Sequence, residues 1–314
     1  MKQALIVGVQ GQDGQLLSKF LSAKGYSVTG LSRQAACLPD ERLAPPVDVT
    51  DACAVAELIR KLCPGEIYYL AAFHHSSQQA MVLDTQGIWA ASLAINATGP
   101  VNFLEAVCRH SPSTRFFYAG SCLAYGRPDR TPQTEDTCFS PSCVYGITKV
   151  AGAHAVRLYR ETHGVFAVAG ILYNHESHLR PEHFLSRKVV RAAVRIKRGL
   201  ERDLVLADLS AQADWGYAPD FVEAFWKTLQ VETPQDCVIA TGTLHSVRDW
   251  VKKSFALAGL NWQEHVSEVV SLAIRKRPLL VGDISRIREG CGWTPTTGFD
   301  RMIELMFEQE EQHT

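Results

Sequence analysis

The stretch ALIVGVQGQDGQLL, residues 4–17, decides the fold of this chain. It opens with a short apolar run that predicts a buried strand, and helical spacing of apolar residues follows at 15–24. Between the two, Gly8, Gly11 and Gly14 form a G-x-x-G-x-x-G loop. Glycine permits the tight turn there and lets backbone N–H groups approach a pyrophosphate at the helix N-terminus. In this strand–loop–helix context the pattern favours a dinucleotide site over a glycine-rich turn that binds nothing.

Short apolar runs and helical patterns alternate beyond that stretch through the first half of the chain. Further strands are predicted at 26–31, 66–72, 114–119 and 165–173, and helices at 51–62, 92–110 and 144–163. Strands that alternate with helices indicate a parallel sheet with helices on both faces. We therefore expect an α/β protein with a Rossmann doubly wound parallel sheet.

The pattern becomes less regular after residue 174. A polar stretch is followed by a basic amphipathic helix at 184–199, a helix at 220–230 and a short strand at 237–240. We interpret part of this region as a smaller C-terminal α/β lobe over the carboxyl edge of the sheet. The predicted dinucleotide domain is 1–173 plus about 218–244, and the predicted substrate lobe is about 174–217 plus 245–314.

Composition excludes several classes of function. Of the 314 residues, 46% are hydrophobic, which suffices for one large domain or two lobes that share a core. The net charge is −1, with no basic stripe or acidic tail, so we expect neither nucleic acid nor a membrane as a partner. The nine cysteines include no C-x-x-C pair, so we expect no metal site. Reduced thiols and an apolar N-terminal run too short for a signal peptide favour a cytoplasmic protein.

The end of the second predicted strand bears on the choice of cofactor. Arg33 follows that strand, where an acid would bind the ribose 2′-hydroxyl of NAD and an arginine suits the 2′-phosphate of NADP. Arg33 therefore favours NADP(H), with NAD(H) possible; the alternative is a solvated surface arginine. Asp48 is placed either to touch the adenine edge or to cap the helix at 51–62.

Tyr145 and Lys149 form a Tyr-x-x-x-Lys pair that opens the helix at 144–163. Four residues make about one helical turn, so both side chains lie on one face. A lysine ammonium stabilises a phenolate, so we expect the pKa of Tyr145 to be lowered toward neutrality. Such a tyrosine can exchange a proton with a substrate oxygen while hydride moves to or from a nicotinamide, and Ser121 would bond the same oxygen. We predict that these three residues are catalytic.

Seven segments carry a family resemblance. They are GVQGQDGQLL (8–17), EIYYLAA (66–72), TPQTEDTCFSPSCVYGITK (131–149), ILYNHES (171–177), FLSRKVVRA (184–192), DWGYAPDFVEAFW (214–226) and VIATGTLHSVRDWV (238–251). Together they resemble the GDP-mannose 4,6-dehydratases, which are extended short-chain dehydrogenase/reductases of the NAD-dependent epimerase/dehydratase group. NHES and the DWG segment are the most specific. The resemblance implies NADP in the Rossmann part and a GDP-sugar under the smaller lobe.

The resemblance also implies roles for single residues. Ser121, Tyr145 and Lys149 carry over as the hydroxyl, base and lysine of the redox step. Asn174 would hold the substrate diphosphate or sugar, whereas His175 and Glu176 bind ligand or simply tie the loop. Arg187 and Lys188 would lie along the nucleotide, unless Lys188 is a solvated helix residue, and Arg248 would meet a phosphate.

We expect two sets of binding residues from these arguments. The cofactor set is Gly8, Gly11, Gln12, Asp13, Gly14, Arg33, Asp48, Leu70, Ala71, Ala72, Tyr145, Lys149 and His175. The substrate set is His75, Ser121, Cys122, Leu123, Asn174, Arg187, Lys188, Arg248 and Arg277.

One departure from the family bears on the reaction. The dehydratases have Thr, a small or acidic residue and Glu where this chain has Ser121, Cys122 and Leu123. That Glu removes the C5 proton of a 4-keto intermediate and helps expel the C6 hydroxyl. Leu123 cannot transfer a proton and Cys122 points elsewhere, so about 10²- to 10⁴-fold of rate is lost at that step. Oxidation or reduction at C4 needs only Ser121, Tyr145, Lys149 and the nicotinamide.

Further departures concern the nucleotide pocket and the assembly. Ala213 stands where the family has a phosphate-binding Arg, and the segment that begins at Arg277 is shorter and lacks a ribose-binding Glu. The loop after Arg33 is also shorter than the one from which the dehydratases build tetramers. We therefore expect a homodimer through a four-helix bundle of the helices at 92–110 and 144–163.

Other side chains could replace the missing acid. His74 or His75 could transfer the proton, or only hydrogen-bond within their loop. Cys122 is either a nucleophile or a small buried thiol. The sequence therefore predicts an NADP(H)-dependent enzyme that oxidises, reduces or epimerises a GDP-sugar at C4. The alternatives are a 4,6-dehydratase with a substitute base and a non-catalytic NADP-binding protein.

Overall fold

The computed structural model describes residues 2–32, 42–43, 46–74, 84–269 and 278–314. The strands in these ranges are β1 (Gln3–Val7), β2 (Ser27–Leu31), β3 (Arg42–Leu43), β4 (Glu66–Tyr69), β5 (Arg115–Ala119), β6 (Ala167–Leu172), β7 (Asn174–Glu176), β8 (Leu204–Leu206), β9 (Gln212–Tyr217), β10 (Cys237–Ile239), β11 (Leu244–Ser246) and β12 (Val266–Glu268). The α-helices there are α1 (Gln12–Ala23), α2 (Ala52–Leu62), α3 (Thr85–Leu93), α4 (Gly99–His110), α5 (Val144–His163), α6 (Leu185–Lys197), α7 (Ala218–Thr228), α8 (Val247–Leu257), α9 (Ser285–Cys291) and α10 (Phe299–His313).

Seven parallel strands form the central sheet in the order β10-β6-β5-β4-β1-β2-β3. The chain runs outward from β1 to β3 and then returns to β4 on the other side of β1. The carboxyl ends of β1 and β4 therefore flank the point where the strand order reverses, which is where ligands bind in open α/β sheets. The predicted doubly wound α/β fold is confirmed.

The two faces of the sheet are buried by different helices. Successive side chains of a strand point to opposite faces, so in β1 Ile6 packs with α1 and α7, while Leu5 and Val7 pack with α2, α4 and α5. An apolar run without polar alternation is what a strand buried on both faces requires. The stretch that predicted the fold is thus the centre of the core.

Two predicted helices have different outcomes. The prediction of 144–163 matches α5, which Gly164 ends with a φ of 67°. The prediction of 92–110 covers the end of α3, a π-helical turn Ala94–Thr98, and α4. The turn places the buried Asn96, whose side chain bonds both backbone groups of Phe73 and the Thr148 hydroxyl at 2.9–3.1 Å. It therefore ties the segment after β4 to α5, and helical periodicity alone gave no sign of it.

Smaller sheets and a separate apolar cluster lie outside the central sheet. β7, β9 and β11 form one small sheet, and β8 pairs with β12. α6, α8 and α10 bury their own cluster, which includes Val190, Trp250 and Met302. This cluster is where a smaller lobe is expected, although the domain boundaries themselves stay a prediction. No helix within the described ranges is long and apolar enough to span a bilayer.

Candidate active site

A cavity of about 1080 Å³ opens at the carboxyl ends of the central strands. Its walls come from the glycine-rich loop, the ends of β4, β5 and β6, the first turn of α5, β7 and the segment before α6. From the predicted cofactor set it includes Gly8, Gly11, Gln12, Asp13, Gly14, Leu70, Ala71, Ala72, Tyr145, Lys149 and His175, and from the substrate set Ser121, Cys122, Leu123 and Asn174. Segments far apart in sequence therefore meet at one site.

The glycine-rich loop is packed too closely for other side chains. Gly8 has a φ of 93°, and a Cβ added there would lie 2.8 Å from the Ala71 nitrogen. A Cβ on Gly14 would lie 2.4 Å from the Gly8 carbonyl oxygen. Gly11 is the N-cap of α1, and no side chain in the described residues caps that turn. The positive end of α1 therefore faces the cavity, which suits an anionic pyrophosphate.

Ser121, Tyr145 and Lys149 meet on one wall of the cavity. Ser121 lies two residues after β5, and its Oγ accepts a bond from the Leu123 nitrogen at 3.2 Å. Tyr145 and Lys149 lie one turn apart on α5, with Lys149 Nζ 5.6 Å from the centre of the Tyr145 ring. Lys149 Nζ also donates to the Ala119 carbonyl at 2.7 Å. A hydroxyl, a phenol and an amine at one place can hydrogen-bond a substrate oxygen and exchange a proton with it.

The pKa values of this wall differ from the sequence prediction. Burial raises the pKa of Tyr145, although the positive charge of Arg180 opposes the shift. Burial also lowers the pKa of Lys149 to about 7, which the negative charge of Asp13 partly offsets. The prediction that Lys149 brings the Tyr145 pKa toward neutrality is wrong for this structure, because desolvation of the phenol dominates. Tyr145 is therefore a protonated phenol at neutral pH.

Cys122 and Leu123 follow Ser121 but have different surroundings. Cys122 is 4% exposed, packs with Tyr125 and Tyr173, and has its pKa raised to about 12 by burial. That is the small buried thiol of the two alternatives. Leu123 is 36% exposed and presents an apolar side chain to the cavity.

The NHES segment joins the cavity to the glycine-rich loop. Asn174 Nδ2 lies 3.4 Å from the Asp214 carbonyl oxygen. His175 Nε2 lies 3.0 Å from Asp13 Oδ2. Glu176 accepts a bond from the Ser186 hydroxyl at 2.6 Å. The sequence left two roles open for His175 and Glu176, which were binding a ligand or holding their loop in place. The structure shows contacts that hold the loop in place.

Two cavity residues received little or no weight in the sequence analysis. Arg180 lies 3.1 Å from Glu176 and stacks 4.2 Å over Phe184. Its place in an irregular polar loop gave no periodic signal, and its charge was the only available hint. The centre of the His74 ring is 4.8 Å from that of the Tyr145 ring, so one of the two candidate proton-transfer histidines borders the tyrosine that is predicted to be catalytic.

Three predicted substrate cations are engaged away from the cavity lining. Arg187 pairs with Glu310 of α10 at 2.6 Å. Lys188 Nζ donates to the Val205 carbonyl at 3.1 Å, and Arg248 lies over Trp262 at 5.8 Å. Their substrate-binding roles stay predictions. Each side chain contacts a residue that is distant in sequence, and only folding brings the two together.

The remaining predicted residues divide into two groups. Asp48 accepts bonds from the nitrogen and hydroxyl of Thr50 at 2.9 and 2.8 Å and is not among the lining residues. The alternative that Asp48 caps α2 is wrong, because Asp51 is the N-cap and accepts from the Ala54 nitrogen at 3.0 Å. Outside the described residues lie Arg33, His75 and Arg277.

Comparison with known proteins agrees with this geometry. Residues 5–306 match the family described as GDP-mannose 4,6 dehydratase. The chain is 38% identical to GDP-mannose 4,6 dehydratase 2 of Arabidopsis thaliana over 98% of its own length and 87% of the relative. It is 34% identical to the human GDP-mannose 4,6 dehydratase over 96% of its length and 90% of the relative.

Solved structures share the fold. RMD from Pseudomonas aeruginosa, complexed with NADPH, has a TM-score of 0.83 at 20% identity, with 100% of both chains covered. UDP-glucose 4-epimerase from Thermotoga maritima, with UDP-glucose, has a TM-score of 0.86 at 18% identity, with 99% of both chains covered. At these identities the likeness concerns the fold.

Proposed function

This chain belongs to the GDP-mannose 4,6-dehydratase family, and from that premise we propose that it is an NADP(H)-dependent C4 oxidoreductase of a GDP-sugar. Reduction of a 4-keto GDP-sugar is the favoured direction, and C4 oxidation or epimerisation uses the same residues. One observation carries the proposal: the cavity keeps Ser121, Tyr145 and Lys149 but presents Leu123 where the family has its eliminating Glu.

The residues at the end of β1 fit a dinucleotide. The close packing at Gly8 and Gly14 leaves the start of α1 open to a pyrophosphate, and Leu70 to Ala72 form the opposite side of that crevice. Structurally similar proteins in complex with NADPH or NAD support a nicotinamide cofactor here. The preference for NADP rests on Arg33 in the sequence. When bound, the reduced nicotinamide supplies one hydride to C4.

The chain's own residues supply the proton. In reduction, Tyr145 would give its phenolic proton to the C4 oxygen, so that a ketone gains one hydride and one proton and becomes an alcohol. Burial raises the pKa of Tyr145 and so keeps the phenol in the form that can donate this proton. Ser121 would donate to the same oxygen, and Lys149 would return a proton to Tyr145 after release.

Elimination needs a second proton-transfer group next to that oxygen. A hydroxyl is a poor leaving group unless an acid protonates it, and the C5 proton needs a base. Leu123 provides neither, and the Cys122 thiol is held protonated by burial. A step without such a group loses about 10²- to 10⁴-fold in rate.

One observation favours the second candidate, a 4,6-dehydratase with a substitute base. The His74 ring lines the cavity and contacts Tyr145, so an imidazole lies beside the phenol that would hold the substrate oxygen. Imidazole titrates near neutral pH and can act as base and acid in turn. This candidate requires that His74 reach C5 rather than only pack against Tyr145 and Phe184.

We further propose a homodimer through α3, α4 and α5. Large apolar side chains are exposed on these helices: Leu93 at 42%, Ile147 at 37% and Leu158 at 54%. Exposed apolar patches are typical of interaction surfaces, and these side chains belong to α3 and α5. Sedimentation of the purified protein should give twice the monomer mass, and a monomer at all concentrations would contradict the interface.

Mass spectrometry of the products separates the candidate functions. The protein is incubated in D₂O with GDP-mannose and NADP⁺, and separately with a 4-keto GDP-sugar and NADPH. We expect no loss of water from GDP-mannose, and a gain of two hydrogens by the keto sugar with consumption of NADPH. Loss of water with deuterium incorporated at C5 or C6 would establish the dehydratase. NADPH binding without hydride exchange would favour a non-catalytic protein.

A further inference from the structure

We propose that His175 is the counter-ion of Asp13 and that this buried pair holds the glycine-rich loop ready for the cofactor's pyrophosphate. The inference rests on the proposed cofactor but concerns residues to which the C4 chemistry assigns no step. The negative charge of Asp13 needs a counter-ion, because its carboxylate lies in the first turn of α1, where two phosphates are expected.

The contacts of His175 indicate a charged ring. Its Nε2 lies 3.0 Å from Asp13 Oδ2, and its Nδ1 lies 2.7 Å from the Tyr173 carbonyl oxygen. A carboxylate and a carbonyl can only accept hydrogen bonds, so both ring nitrogens must donate, which only imidazolium can do. The ring also stacks on Phe221 with centres 4.7 Å apart, which fixes its plane.

The side chain of Gln12 links the loop to β7 and to Ser177, the residue after it. Gln12 Nε2 donates to the His175 carbonyl at 3.0 Å and to Asp13 Oδ1 at 3.1 Å. The Ser177 hydroxyl donates to Gln12 Oε1 at 2.9 Å. The first turn of α1 is thus held by β7 and by Ser177 after it, and Asn174 of β7 lines the same cavity.

The surrounding charges agree with an ionised pair. Burial would lower the pKa of His175, but the charge and hydrogen bond of Asp13 raise it above its ordinary value. Burial would raise the pKa of Asp13, but His175 and, more weakly, Arg180 lower it. Arg180 opposes the protonation of His175, and the other side of the ring is covered by Phe221 and Phe225 of α7.

A consequence for cofactor binding follows. With His175 protonated, the Asp13 charge is neutralised and the start of α1 can accept phosphates. Without the imidazolium, an uncompensated carboxylate would repel them at close range, where effective screening is far weaker than in water. NADPH affinity should therefore fall as pH rises through the His175 pKa, since that is where the ring loses its proton.

Calorimetric titration of the purified full chain with NADPH tests the proposal. We expect His175→Asn to raise the Kd by roughly 10- to 100-fold, because the Asp13 charge is left unpaired. Asp13→Asn, and the double variant Asp13→Asn with His175→Asn, should both bind at least as tightly as the wild type. The alkaline loss of affinity should shrink in Asp13→Asn, which keeps the histidine, to the part that comes from the loss of charge at Lys149, whose pKa burial lowers to about 7. His178→Asn, the same change three residues away, serves as the matched control.

The outcomes distinguish the inference from the proposed function. A wild-type protein that binds no NADPH would overturn the cofactor and the inference together. If the wild type binds NADPH and His175→Asn binds it with the same Kd, the inference alone would be overturned. A double variant as weak as His175→Asn would do the same, because the histidine would then act through packing and not through charge. Melting of each variant without NADPH verifies that it is folded.

Discussion

Two adjoining walls of one cavity differ in what they can do with a proton. The redox wall, Ser121, Tyr145 and Lys149, consists of polar groups, of which Ser121 and Lys149 are buried and Tyr145 is partly exposed. The apolar wall, Leu123 and Ala213, has no group that titrates. Ser121 and Leu123 both follow β5, so the scaffold imposes neither character. The difference teaches that hydride transfer and elimination are separable, because they depend on different side chains.

The backbone between the two walls is tightly fixed. A Cβ added to Gly146 of α5 would lie 2.5 Å from the Leu123 carbonyl oxygen, so the turn after β5 packs directly on the start of α5. The position of residue 123 relative to Tyr145 is therefore set by main-chain contact and not by the leucine side chain. A substitution at 123 should change the chemistry of the apolar wall without moving the redox wall.

The largest expected effect comes from the redox wall. Tyr145→Phe should lower kcat for reduction of a 4-keto GDP-sugar by about 10²- to 10⁴-fold, because the proton donor is removed while the ring still fills its place. NADPH consumption in the steady state measures the loss. Tyr159→Phe is the control, since that hydroxyl is on the same helix but bonds Glu105. Near-normal turnover in Tyr145→Phe would mean that another group, with His74 the nearest candidate, supplies the proton.

Leu123→Glu adds a proton-transfer group to the apolar wall and tests whether the lack of one prevents elimination. With GDP-mannose and NADP⁺ in D₂O we expect loss of water with deuterium incorporation, because a carboxylate would then face the cavity beside the redox wall. The position is partly exposed, so the charge is not fully desolvated. The expected gain over the uncharged control Leu123→Gln is roughly 10- to 100-fold, the lower part of what general acid–base catalysis supplies. Equal products from both variants would show that Leu123 is not what prevents elimination.

The sequence predicted the redox wall but not all of its electrostatics. Tyr145 and Lys149 could be placed on one helical face from their spacing, and Ser121 from its position at a strand end. Both predictions depend only on local periodicity and on the rule that parallel strands end at one edge. The rise in the Tyr145 pKa could not be foreseen, because burial depends on which distant segments cover the phenol.

The irregular segments explain the other differences. Arg180 lies in a loop without periodicity, so only its charge hinted that it could reach the cavity. Arg187 was expected along the nucleotide, but its partner Glu310 is on α10 and is only brought near by the folding of α6 against α10. Asp48 and Asp51 offered the same capping chemistry, and the exact start of α2 decided between them.

The smallest expected effect is on the pH dependence of stability, because burying the Lys149 ammonium lowers the free energy of unfolding. Burial lowers the pKa of Lys149 to about 7 from about 10.4 in the unfolded chain. Below pH 7 both states are protonated and the full cost of burying the ammonium is present; as pH rises toward 10, the folded state has released its proton and the cost disappears. Lys149→Met removes this pH dependence, so its Tm relative to the wild type should fall by about 5 °C between about pH 6 and pH 9. The exposed Lys19→Met should show no such trend. A constant difference would mean that Lys149 is charged throughout, and then the redox wall would retain its cation at pH 9, where we expect a neutral amine.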